Sequence, residues 1–341
     1  MQVIDLFAGC GGLSVGFIEA GFKVTHAVEF DKSIAETYIK NHKNTKLIVD
    51  DIKNVDTSEI FVKGMADVII GGPPCQGFSM AGARIRENFI DDPRNYLFKH
   101  YFNIVKKVQP KIFIMENVKG IKTMKNGEVF EEILGSFDDI GYEVHARIFK
   151  ASDFGIPQTR ERMIILGVLH RDWDFEEFIK KTKDKITKIQ PDFFNKLNIW
   201  DVIADLENEP TNGSSAIKNH TATKHADIAQ RRMKKVLGGE NYTALKEDIK
   251  SVHSGSYGRL ERDKFAPTIT TRFDTPSGGK FTHPTLDRTL TPREAARIQS
   301  FPDSFEFFGN KTSICKQIGN AVPPKLAYFL AELTKELLND E

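Results

Sequence analysis

Over the first 170 residues, short apolar runs rich in Val, Ile and Phe alternate with segments whose apolar positions recur every three to four residues. Read by period, this predicts strands over 2–7, 22–29, 46–50, 66–71 and 111–115, and helices over 12–20, 31–42, 94–108 and 127–140. Strand–helix alternation of this kind predicts an α/β fold with a doubly wound, largely parallel sheet. Two further strands, 142–149 and 162–169, are joined by a turn-rich segment too short for a parallel crossover, so the sheet is expected to end in an antiparallel hairpin.

From about residue 171 the periodicity weakens. Charged "KKTKDKITK", loop-rich "ENEPTNGSSA", basic "RRMKK" and the Gly/Ser/Thr-rich stretches "HSGSYGRL" and "TITTRFDTPSGGKFTHPT" predict a second, smaller, loop-rich domain. "TPREAARIQSF" reads as a helix with Pro292 in its first turn, and "PPKLAYFLAELTKELL" as a closing amphipathic helix that packs back on the first domain.

Composition narrows the class. The 341 residues, 40% apolar and 28% charged, suit a globular enzyme of two domains rather than a disordered chain. Met1 leads straight into a strand-like run, and no apolar stretch is long enough to span a membrane, so a cytoplasmic protein is expected. Cys10, Cys75 and Cys315 are three in number, far apart and without a Cys-x-x-Cys pair, which predicts free thiols and neither a disulfide framework nor a metal site. Net charge is only +1, yet residues 218–299 hold 16 Lys/Arg against 9 Asp/Glu, or +7, leaving −6 elsewhere. A basic region in an otherwise acidic chain fits an anionic partner such as nucleic acid.

The candidate chemistry lies at strand ends. "DLFAGCGGLSVGF" joins a strand to a helix through Gly9, Gly11 and Gly12, where backbone amides can approach a ligand closely. It departs from the dinucleotide fingerprint because Ser14 stands where the third glycine would be. Glu29, 20 residues past Gly9, is placed to accept bonds from ribose hydroxyls, and Asp51 to meet an adenine amino group. In "ADVIIGGPPCQGFS" the prolines stop the fourth strand, so Cys75 emerges at the carboxyl edge of the sheet. "KIFIMENV" delivers Glu116 and Asn117 to the same edge, making a nucleophile and acid pair. Arg160 and Arg162 of "QTRER" alternate along a strand and share a face, from which one could hold a carbonyl or phosphate.

"DLFAGCGG", "GGPPCQGFS", "ENV", "QTRER", "RTLTPREAARIQSFPD" and "QIGNAVPP", in this order over residues 5–324, resemble the motif set of the DNA (cytosine-5-)-methyltransferases. The resemblance implies a Rossmann-like class I methyltransferase fold, with a catalytic domain of residues 1–175 and 312–341 and a small domain of 176–311. Target recognition would lie within about 176–270. S-adenosylmethionine is the implied cofactor, with Phe7, Gly9, Gly11, Gly12 and Leu13 lining its methionine part and Glu29 its ribose. Asp51 with Ile52 would meet the adenine, Phe30 would stack near it, and Pro74, Leu97, Asn320 and Ala321 would complete the pocket. The aspartate pair leaves Asp50 as the alternative to Asp51.

Cytosine carbon 5 is too poor a nucleophile to take a methyl group unaided, and a thiolate adding to carbon 6 would activate it. The resemblance implies Cys75 as that nucleophile, Glu116 on ring nitrogen 3, Arg162 on the carbonyl at position 2, and Arg160 orienting a loop or a phosphate. Double-stranded DNA is the expected partner, met by a monomer that serves either as the modification partner of a cognate restriction endonuclease or as a solitary methyltransferase. The base would be flipped out of the duplex, under a lid formed by "QGFSMAGARIRENFIDD". A tRNA methyltransferase, a catalytically silent DNA-binding protein and a nicotinamide oxidoreductase are the rival readings. The long recognition segment, the intact Cys75, Glu116 and Arg162, and Ser14 respectively argue against them.

Overall fold

Gln2–Leu6 (β1) is buried from its second residue onward, as a central parallel strand covered on both faces must be. A computed structural model describes residues 1–55, 60–74, 97–249 and 253–340. Around β1 stand Lys23–Val28 (β2), Lys46–Ile48 (β3), Val68–Gly71 (β4), Ile112–Val118 (β5), Tyr142–Lys150 (β6) and Glu161–Leu169 (β7), in the order β3-β2-β1-β4-β5-β7-β6. The first five are parallel, and β7 runs antiparallel to both β5 and β6. The expected terminal hairpin is therefore present, and the sheet is mixed.

Strand order reverses between β1 and β4, which leaves a crevice at their carboxyl ends. The loops after β1 and β4 open into that crevice. Because β7 is antiparallel, its first residues meet the last of β5: Val118 pairs with Arg162. Residues 158–162 thus reach the same edge.

Alternation along each strand sorts two cores. Val3, Val68, Ile70, Ile112, Ile114, Ile164 and Leu166 face one layer, built from Gly12–Glu19 (α1), Phe175–Ile189 (α5) and Pro324–Asn339 (α10). Ile4, Leu6, Ile69, Phe113, Met115 and Ile165 face the other, built from Leu97–Val108 (α3) and Glu128–Asp138 (α4). The closing helix α10 does pack on the first unit. Its approach to α1 needs a residue without a side chain: a Cβ at Gly16 would lie 2.3 Å from the backbone nitrogen of Tyr328.

A third core joins Cys10 and Ile34 of Lys32–Asn41 (α2) to Ile199–Ile203 (α6), Pro292–Ile298 (α8) and Lys311–Asn320 (α9). Asp227–Lys235 (α7) is the remaining helix of this region among the described residues. Its last carbonyls are gathered by Arg259, which donates to Met233 O, Val236 O, His283 O and Leu286 O at 2.6–2.9 Å.

The domain boundary expected at 176 falls at the first turn of α5, a helix that packs with the first core. Phe175, Phe178, Ile179 and Ile186 of α5 belong to the first core, and Lys185 bridges Glu336 of α10 at 2.7 Å. Phe193 belongs to the same core as α5, whereas Ile199 and Ile203 of α6 belong to the third. Among the described residues no helix is long and apolar enough to cross a membrane.

Candidate active site

After β1 the chain turns through left-handed backbone at Phe7, Gly9 and Gly11 (φ 59°, 56° and 96°) before entering α1. A Cβ built on Gly9 meets nothing within 4 Å, so the loop leaves open space over this Cα. The Gly9 amide donates to Glu29 Oε2 at 2.9 Å, and the Asp31 amide to Oε1 at 2.8 Å. Glu29, 6% exposed, thereby ties the glycine loop to the turn after β2. Burial raises its carboxyl pKa, and the two amide bonds oppose that shift.

Phe30 beside it is 63% exposed, a large apolar ring left in water next to a buried acid. After β3, Asp50 Oδ1 accepts from the Asp51 amide and Asn54 Nδ2, while Asp51 Oδ1 accepts from the Lys53 amide. Asp50 is exposed, Asp51 half-buried and Ile52 buried. Leu97 opens α3 and, like Phe7, packs on the second core. Leu13 and Ile52 have their side chains in the cores, at 5% and 4% exposure, so only their backbone is available to a ligand.

Period two places Glu116 on the same sheet face as Ile112 and Ile114, and Arg162 on that of Ile164. They are diagonal neighbours across the antiparallel β5–β7 pair, within reach of long side chains. Arg162 Nε lies 2.7 Å from Glu116 Oε1, with side chains 14% and 11% exposed. The other carboxylate oxygen faces β4: a Cβ at Gly72 would lie 3.0 Å from Glu116 Oε2. Asn117 Nδ2 donates to Pro73 O at 3.1 Å, which fixes the strand end that leads into Pro74 and Cys75. Pro74 is half-buried, and Cys75 with the expected lid after it lies outside the described residues.

Arg160 does not share the exposure of Arg162. It is 1% exposed, and its guanidinium donates to Gly319 O (3.0 Å), Ala321 O (2.8 Å) and Ile269 O (3.3 Å). Gln299 Nε2 joins it on Ala321 O at 2.7 Å. Arg160 thus holds the turn containing Asn320 and Ala321, and a phosphate would have to displace those carbonyls. Asn320 itself is exposed and Ala321 half-buried.

The structure also brings in residues that strand-end reasoning overlooked. Asp5 lies wholly buried on the α1 side of β1, where Ser14 Oγ donates to its Oδ2 at 2.6 Å and Tyr38 Oη sits 2.7 Å from the same hydroxyl. Its Oδ1 is buried without a partner. The serine that breaks the dinucleotide fingerprint thus serves a buried acid. Burial, opposed by the Ser14 bond and assisted by the Glu29 charge, pushes the Asp5 carboxyl up to about 7.

With a folded value above the unfolded one, Asp5's contribution to stability is complete below about pH 4 and is lost as pH rises to about 7. That three-unit window amounts to about 4 kcal/mol. Asp5→Asn is therefore expected to flatten this part of the pH profile. In urea unfolding at pH 4 and pH 7, the variant-minus-parent difference should grow with pH, and a constant difference would show that Asp5 ionises freely.

Two of the three thiols are chemically quiet. Cys10 and Cys315 are buried at 2% and 0% exposure, and burial pushes each up to about 12.

The C-5 cytosine-specific DNA methylase family model matches residues 1–336. The chain is 36% identical to the Type II methyltransferase M1.HphI of Haemophilus parahaemolyticus over all of this chain and 88% of the relative. It is equally close to M.FnuDI of Fusobacterium nucleatum, over all of this chain and 96% of that one. Among solved structures it is similar to a prophage-encoded protein of E. coli, described as a candidate DNA modification methyltransferase, at TM-score 0.77 and 29% identity over 99% of both chains. The Dnmt2 methyltransferase of S. pombe shares the fold at TM-score 0.69 and 18% identity, again over 99% of both. A mixed seven-stranded sheet, a crevice between β1 and β4 and a Glu–Arg pair at its rim thus meet a family match along nearly the whole chain, and the protein belongs to the C-5 cytosine-specific DNA methylases as a DNA (cytosine-5-)-methyltransferase.

Proposed function

We propose that the protein methylates carbon 5 of a flipped-out cytosine in double-stranded DNA through a covalent Cys75 intermediate, with S-adenosylmethionine as donor. The carrying observation is the Glu116–Arg162 pair, with Asn117 anchoring Pro73, two residues before Cys75.

The crevice fits such a donor. The space over Gly9, the acid of Glu29 and the exposed ring of Phe30 offer room, hydroxyl acceptors and a stacking surface for a nucleoside. Asp51 with the Ile52 amide would meet the adenine, and the Asn320–Ala321 turn held by Arg160 would close the pocket. Bound there, the sulfonium supplies an electrophilic methyl group.

The chain's own residues prepare the acceptor. The Cys75 thiolate adds to carbon 6, and electron density moves to carbon 5. Glu116 holds the proton at ring nitrogen 3, and Arg162 donates to the oxygen at position 2. Once carbon 5 carries its methyl and loses its proton, the electron pair re-forms the ring double bond and expels Cys75. The base must leave the stack to reach these groups, and 76–92 is the segment suited to cover it. The relatives named as Type II methyltransferases support a modification enzyme paired with a restriction endonuclease.

Duplex DNA carrying 5-fluorocytosine at the target position tests the covalent step. Fluorine cannot leave as a proton, so a denaturant-stable protein–DNA adduct is expected in the presence of donor. A duplex whose unmodified form accepts methyl groups yet gives no adduct would overturn it.

A further inference from the structure

The stretch directly after the Glu116 strand has features that the reaction at the base does not use. Lys119–Gly127 follows β5 as a 3₁₀ segment, and side chains three residues apart in such a helix lie one above the other. Lys119 and Lys122 therefore share a face, separated by about 6 Å along the axis, the rise over which one DNA strand presents about two phosphates. Lys119 is anchored to Glu161 at 2.6 Å, beside Arg162. Lys122 and Lys125 are exposed and have no ionic partner among the described residues.

Beyond Lys122 the backbone is strained. Lys125 (φ 45°, ψ 47°) and Asn126 (φ 57°, ψ 25°) both adopt the left-handed conformation, followed by Gly127 at φ 98°. Consecutive non-glycine residues rarely do so, and glycine would make this turn at less cost. A lysine there retains the turn and adds a cation. The acids of this stretch, Glu128 and Glu131, fall in the first turn of α4, where they complement that helix's own amides.

From this we infer that Lys119, Lys122 and Lys125 form a phosphate-binding rim that holds the backbone of the target strand beside the extruded nucleotide. The inference rests on the DNA reading of the site. Three residues of extended chain span at most about 10 Å, so the rim begins within one nucleotide's reach of Glu116. It works from the large unit, on the segment that follows β5. It contacts no base, and so contributes affinity and position rather than sequence choice.

The test is duplex binding by fluorescence anisotropy between 50 and 200 mM salt. Lys122→Gln with Lys125→Gln is expected to reduce the slope of log affinity against log salt by about 1.8, so that the parent loses about 12-fold more affinity over this range than the variant does. Lys125→Gly keeps the left-handed turn and should give about half that change. Arg at both positions should restore the parent slope. Lys180→Gln with Lys188→Gln on α5 removes equal charge from the other sheet face and should leave the slope as it was. An unchanged slope in the 122/125 double variant, with its thermal melt intact, overturns the rim. If the parent itself shows neither salt-dependent DNA binding nor the 5-fluorocytosine adduct, the DNA reading falls and the rim with it.

Discussion

Cys75→Ser is expected to lower methyl transfer by about 10⁴-fold or more while duplex affinity stays within about twofold. The nucleophile must be ionised in some useful fraction, and a thiol near pKa ~8.5 meets that condition where an alcohol does not. No other thiol in this chain can substitute. Burial pushes Cys10 and Cys315 up to about 12, and neither is exposed. Transfer of radiolabelled methyl to duplex DNA, with binding followed in parallel, is the measurement. Residual transfer above about 1% of the parent would mean that the covalent step is carried elsewhere.

Glu116→Gln should cost transfer about 10²–10⁴-fold, the range for loss of a positioned acid or base. The amide keeps the shape and can still accept from Arg162 Nε, so the fold should survive and the melting temperature should move by no more than a few degrees. What it cannot do is exchange a proton with the ring. Arg162→Ala is the companion variant. It leaves Glu116 at 11% side-chain exposure without its cation, and should reduce transfer and stability together. A Glu116→Gln protein that turns over at the parent's rate would remove the carboxyl group from the reaction.

The large unit was legible because its apolar runs obey strand and helix periods and stand in an alternating order. Strand ends were less so. The fifth strand extends to Val118 rather than 115 because the antiparallel partner β7 continues its ladder to Arg162. Helix α5 shows one apolar face in the sequence, at Phe175, Phe178, Ile179, Thr182 and Ile186. Periodicity identifies such a face but not the surface that covers it, here α10.

Gly9, Glu29 and Glu116 stand out in the sequence as glycine and acids at strand ends, and the structure places them at the carboxyl edge of the sheet. Asp5 does not stand out, because an acid inside an apolar run reads as an error until its partner Ser14 is brought across from α1. The difference between Arg160 and Arg162 was likewise invisible in "QTRER". It arises from carbonyls more than 100 residues downstream, at Ile269, Gly319 and Ala321.

Helix α10 covers α1, and the two lie about 300 residues apart in the chain. A ribosome adding ~5–20 residues per second needs roughly 15–60 s to deliver the cover after α1 has emerged. Throughout that interval Leu13 and Phe17 wait with part of their apolar surface open. During synthesis the nascent chain therefore presents an uncovered apolar helix face, the kind of transiently exposed surface that chaperones hold.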